Sequence, residues 1–110
     1  MSTLTRRTAL AIAAGLLAGA ARRARAAEAS VTIDNFAFTP AELRVSAGTK
    51  VTWLNRDDIP HTVTSSATPP VFRSHPMDTG DSYTFAFDKP GTYRYFCSIH
   101  PHMLGSILVT

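Results

Sequence analysis

The chain has 110 residues, room for one domain and one core, with 11 basic and eight acidic side chains, a net of +3. Five of the basic residues fall within the first 26 positions; from Ala27 onward six face eight acidic ones, a net of −2 with no basic run, which removes the electrostatic footprint of a nucleic-acid binder. The single cysteine, Cys97, excludes an internal disulfide and leaves a thiol for intermolecular pairing, reactivity or metal ligation.

In chain order, the first segment reads as an export signal. Arg6 and Arg7 precede an apolar run from Ala9 to Ala21 that ends in small residues suited to cleavage. The run is too short for a membrane span, which needs about 20 residues, so no stable membrane insertion is expected. The arginine pair with Leu10 behind it fits a twin-arginine signal. Residues 1–26 are therefore expected to be removed near Ala26, leaving a periplasmic domain over 27–110.

After Ala27 the pattern alternates with period two and is broken by Pro and Gly, which predicts strands. "SVTIDNFAFTP" reads as one strand stopping at Pro40, and "AELRVSAG" as a short one ending at Gly48. "TKVTWLN" puts Val51, Trp53 and Asn55 on one face, and "HTVTS" is a short strand opened by His61. Residues 65–80 carry three prolines and little alternation, which predicts a long crossing loop. "DSYTFAF" aligns Tyr83, Phe85 and Phe87; "DKPG" is a turn. "TYRYFC" aligns Tyr93, Tyr95 and Cys97, and "GSILVT" aligns Ile107 and Val109. Val51, Trp53, Phe85, Phe87 and Ile107 are the expected core. Tyr93, just after a turn, is placed to bond back to the preceding loop as a tyrosine corner does. Seven to eight short strands at this spacing predict an all-β sandwich.

The stretch "CSIHPHM" carries the chemistry. Its spacing, C-x2-H-x2-M, brings Cys97, His100 and Met103 onto one tight loop, with His102 left over. A fourth donor has two candidates, His61 and His75. His61 is favoured, because Pro60 fixes φ at about −65° and stiffens its approach, whereas His75 lies in the Pro-rich loop. Structural zinc sites use Cys and His and rarely thioether. One thiolate, two imidazoles and a thioether instead make the His₂Cys plane with a long axial Met of a blue-copper electron-transfer site.

"WLNRDDIPHTV", "GTYRYFCSIHPHM" and "GSILV" resemble the cupredoxins, the type 1 blue-copper proteins, over nearly all of 27–110. The overall resemblance is to the small amicyanin- and plastocyanin-type members, and the short C-x2-H-x2-M loop most resembles that of the amicyanins, since plastocyanins and azurins have longer loops. The resemblance implies a Greek-key sandwich of eight strands holding one type 1 copper. His61, Cys97 and His100 would be the equatorial ligands and Met103 the axial one. It also implies a monomeric electron carrier, not an enzyme. Its redox donor and acceptor would dock near His100 through an apolar patch of Ile59, Pro60, Ile99, Pro101 and Leu104. Two positions depart from the family pattern. Thr62 replaces the usual Asn after the first histidine, and Ile99 and His102 stand where a proline and an aromatic residue are usual. Two other classes compete with this reading. Copper carriage without electron transfer would be favoured by Met- and His-rich tails, which are not seen. A Cys–His nucleophile lacks an orienting third group and an oxyanion motif, and gives Met103 no role.

Overall fold

The computed structural model describes residues 27–110, so the expected export signal at 1–26 lies outside the described residues. Eight strands are present among the described residues: β1 (Glu28–Asp34), β2 (Ala37–Thr39), β3 (Glu42–Val45), β4 (Thr49–Asn55), β5 (Thr64–Ser65), β6 (Ser82–Phe87), β7 (Gly91–Phe96) and β8 (Leu104–Val109). They form two four-stranded sheets, ordered β2-β1-β4-β6 and β3-β8-β7-β5. β1–β4 and β3–β8 run parallel and the other neighbours antiparallel, so the all-β sandwich expected from the alternation is the observed fold.

β4 shows why the residues choose this fold. Thr49, Val51, Trp53 and Asn55 are buried, while Lys50 is exposed and Thr52 and Leu54 are half-buried, the period-two signature of a strand with one core face. The register sets Val31 beside Trp53 and Ile33 beside Asn55, so β1 and β4 present one apolar surface. Tyr95, Ile107 and Val109 face it from the other sheet. Each large apolar side chain so buried is worth roughly 1.5–3 kcal/mol. Trp53 sits at the centre, with Phe72, Tyr83 and Tyr95 ring centroids at 5.7, 5.8 and 5.4 Å. Tyr93 donates its hydroxyl to Lys89 O at 2.7 Å, the corner expected after the turn.

Three expectations need correction. "SVTIDNFAFTP" is not one strand but the β1–β2 hairpin, because Asn35 and Phe36 adopt φ of 50° and 58° and reverse the chain. Phe85 is only half-buried and packs against the core from its margin, since β6 edges its sheet. The segment 65–80 is the crossing loop expected, but it carries core residues of its own and leaves the strand expected from His61 onward as only Thr64–Ser65. Phe72 and Met77 are buried, and Phe72 stacks on Trp53 at 26°. Backbone bonds pair this loop with the chain after Pro60: Ser65 N to Phe72 O, Ser74 N to Val63 O, and a reciprocal pair between His61 and Met77. β5 is correspondingly short, and His61 sits in a single bridge to Met77 ahead of it.

Strand direction places the chemistry. β1 and β4 end, β7 ends and β8 begins at the same pole, so the 35–36 turn, the 56–61 loop and the 97–103 loop meet there. The 46–49 and 88–90 turns lie at the other end.

Candidate metal centre

At that pole β4 ends on Asn55, whose buried amide Nδ2 donates to Ile59 O at 3.0 Å and Met77 O at 2.8 Å. Its Oδ1 accepts the Asp57 N–H at 3.0 Å. Asn55 thus folds the 56–61 loop over itself and aims Asp57 inward. Asp57 Oδ2 accepts from His61 Nε2 at 2.8 Å and from the Phe36 N–H at 3.1 Å. The bond to His61, joined by that of Phe36, holds the Asp57 carboxyl below its ordinary value of 3.8. An ionised carboxylate accepts only, so His61 Nε2 is the donor of this pair, and Nδ1 is the ring nitrogen turned toward Cys97. His61 is fully buried, and its backbone is fixed by both bonds to Met77.

Cys97 follows β7 and is also fully buried. The loop after it is closed by Met103 N to His100 O at 2.9 Å and Cys97 N to Met103 O at 3.2 Å. Met103 is buried and His100 half-buried. Cys97 Sγ lies 3.8 Å from both His61 Nδ1 and His100 Nδ1, and the two nitrogens are 3.3 Å apart. Burial pushes the Cys97 thiol up. The N–H of Thr62, 3.4 Å from Sγ, and the two histidines outweigh it and hold the thiol at about 6, against an ordinary 9.0. These donors favour the thiolate form of the sulfur.

Among the described residues His61, Cys97 and His100 form the one group of convergent metal-capable donors. His75 is exposed and outside it, as is His102, which is exposed and stacked on Phe36. Thr62, in the position usually held by Asn, braces the ligand loop through its hydroxyl. Oγ1 accepts the Ser98 N–H at 2.7 Å and shares a 2.8 Å bond with the Ser98 hydroxyl.

The sequence model of the cupredoxin-like domain matches residues 7–109. This chain is a cupredoxin. Amicyanin-alpha of Methylorubrum extorquens is 38% identical over 102 residues, 90% of this chain and 85% of the relative. A chloroplastic plastocyanin of Tetradesmus obliquus is 33% identical, covering 78% of this chain and 68% of its own. Among solved structures, a purple cupredoxin from Nitrosopumilus maritimus superposes with a TM-score of 0.70 at 33% identity. That match covers 74% of this chain and 99% of the other.

The donors of this cupredoxin fit copper. A thiolate, two imidazole nitrogens and a buried thioether on the same loop form the type 1 donor set. The 3.8, 3.8 and 3.3 Å separations leave room for a cation at metal–nitrogen distances of about 2.0–2.1 Å and a metal–sulfur distance of about 2.3 Å. Zinc would take the nitrogens and sulfur but gains little from a thioether.

Two contributors escaped the sequence. Asp57 sits four residues before His61 in an irregular loop, where no periodicity assigns a direction. Phe36 is distant in sequence, yet its ring lies 5.7 Å from His61 and 5.1 Å from His100. An Asp four residues before a candidate ligand histidine is a readable signal for the first; the second had none.

Proposed function

We propose that this cupredoxin is an exported, periplasmic one-electron carrier. His61, Cys97, His100 and Met103 would hold one copper, the two imidazoles and the thiolate converging on it and the thioether completing the set. The observation that supports this best is the meeting of two imidazole nitrogens and the buried Cys97 sulfur, with one of the two histidines, His100, half-exposed. Bound there, copper supplies a Cu(I)/Cu(II) couple.

The chain's own groups serve that couple in separable ways. Asp57 orients His61 and fixes its tautomer. The Thr62 N–H steadies the thiolate, and the Thr62–Ser98 bonds keep the loop from opening. Burial of Cys97, His61 and Met103 excludes water. Rigid donors of mixed softness suit both oxidation states, so little rearrangement accompanies electron movement.

Electrons would pass through His100, the ligand candidate nearest the surface. Around it Ile99 is 46% exposed, Leu104 66%, and Pro60 and Pro101 are also exposed, while Ile59 is half-buried. These residues offer the redox donor and acceptor an apolar contact of the small size typical of transient electron-transfer complexes, below about 1,200 Å². We place residues 1–26 as the cleaved signal and 27–110 as the working domain.

The deciding experiment is Cu(II) addition to the purified protein. An intense visible thiolate-to-copper band and a reversible voltammetric wave with fast self-exchange are expected. A colourless complex overturns the copper assignment. A coloured one without a reversible wave overturns electron carriage and leaves copper handling. Sequencing the mature N-terminus from a periplasmic fraction should find it near Ala27.

A further inference from the structure

Phe36 occupies a backbone conformation that an aromatic residue avoids. Asn35 and Phe36 follow one another at φ of 50° and 58°, the pattern of a two-residue hairpin turn that prefers Asn-Gly. Asn tolerates the left-handed region; a bulky side chain there is strained. Strain of this kind persists where the surroundings over-determine it, and it gathers at functional sites. Burial does not explain the choice, because Phe36 is 44% exposed.

The surroundings do point one way. The Phe36 N–H donates to Asp57 Oδ2, the same oxygen that accepts from His61 Nε2. The ring stands nearly perpendicular to both candidate ligand imidazoles, at 85° to His61 and 87° to His100. Its other neighbour is His102, near-parallel at 27° and 6.4 Å. Backbone and side chain of one strained residue thus both address the metal centre.

We propose that Phe36 is a positioning residue, its ring packed on His61 and His100 so that their Nδ1 atoms converge on the Cys97 sulfur. The left-handed turn is the cost of delivering that ring. His100 gains most, because among the described residues no carboxylate orients it as Asp57 orients His61, and it sits on a short loop at the surface. The inference rests on the copper reading above, but not on electron carriage.

Glycine separates this role from a structural one, since it relieves the turn while deleting the ring. The test compares the native protein with Phe36→Gly and Phe36→Tyr. It measures the urea midpoint, copper affinity by chelator competition, and the visible band. Phe36→Gly should hold or raise the urea midpoint, yet lower copper affinity about tenfold or more and shift the band. Phe36→Tyr should restore affinity and band. Unchanged affinity and band in Phe36→Gly overturn the proposal, as does a fall in midpoint together with affinity, which would make the ring a structural anchor. Failure of Phe36→Tyr to restore binding overturns it too. If the native protein takes up copper without a reversible wave, electron carriage fails and this inference stands. If it takes up no copper, the copper reading fails and this inference falls with it.

Discussion

At Asp57 one carboxylate oxygen meets two donors, the His61 ring and the Phe36 backbone, and its charge lies beside a candidate ligand. A negative group there favours the more positively charged, oxidised form of the centre. Asp57→Asn keeps an acceptor but removes the charge, so the midpoint potential should rise. The scale is on the order of 59 mV, one tenfold change in the relative affinity for the two oxidation states. Voltammetry of the copper-loaded variant checks it, and an unchanged or lower potential contradicts the electrostatic account. Cys97 carries a second prediction, made for the protein freed of metal. Its thiol sits at about 6 in the folded chain against an ordinary 9.0. Between those values the unfolded chain holds a proton that the folded chain has released, so stability rises with pH across this window. The contribution is complete above about 9 and is lost as pH falls toward about 6. Urea midpoints measured at several pH values should show this slope, and Cys97→Ser should flatten it.

At the scale of elements, the segment from Thr64 to Asp81 is the least legible part of the chain and one of the most consequential. Strands such as β4 and β7 could be read because alternate residues face one core, so Val51, Trp53, Tyr95 and Cys97 fall into phase. Cys97, His100 and Met103 could be read because they share one short loop. Phe72 could not, because a Pro-rich segment has no period, and only the fold reveals that its one aromatic residue reaches the Trp53 ring. The β1–β2 reversal was hidden for a related reason: its alternation runs through a turn that lacks the expected glycine. Phe72 is 4% exposed and lies within 5.7 Å of the Trp53, Phe85 and Phe87 ring centroids. Phe72→Ala should therefore cost about 3–5 kcal/mol, as removal of a buried aromatic does. Its effect should also reach the metal centre, because the same loop holds His61 through Met77. Urea unfolding and chelator competition on one variant report both. A loss of stability with copper affinity unchanged would show that the His61–Met77 bridge stands independently of the Phe72 anchor.

At the scale of the whole molecule, the sandwich separates its labour between two ends. Asn55, Asp57, His61, Cys97, Met103 and the exposed Ile99 and Leu104 belong to one pole, whereas Lys50 and Lys89 lie toward the other. On the proposed electron-carrier reading, two copies exchange electrons by meeting at the pole that carries His100, so a charge placed there acts twice, once on each partner. Leu104 is the most exposed large apolar residue described, at 66%, and opens β8 directly after the ligand loop. Leu104→Glu should leave stability within about 0.5 kcal/mol, as surface changes usually do. It should slow self-exchange by roughly tenfold or more, because like charges must be brought together while apolar contact is lost. Salt supplies the discriminating measurement. The Debye length falls from about 30 Å at 0.01 M to about 3 Å at 1 M, so added salt should recover the part of the rate lost to repulsion. The part lost with the apolar contact should remain. Lys89→Glu, at the far pole, changes charge by a larger step and should leave the exchange rate nearly unaltered. Equal slowing by the two variants in NMR line-broadening measurements would mean that exchange follows net charge, and that the apolar pole is not where the two copies meet.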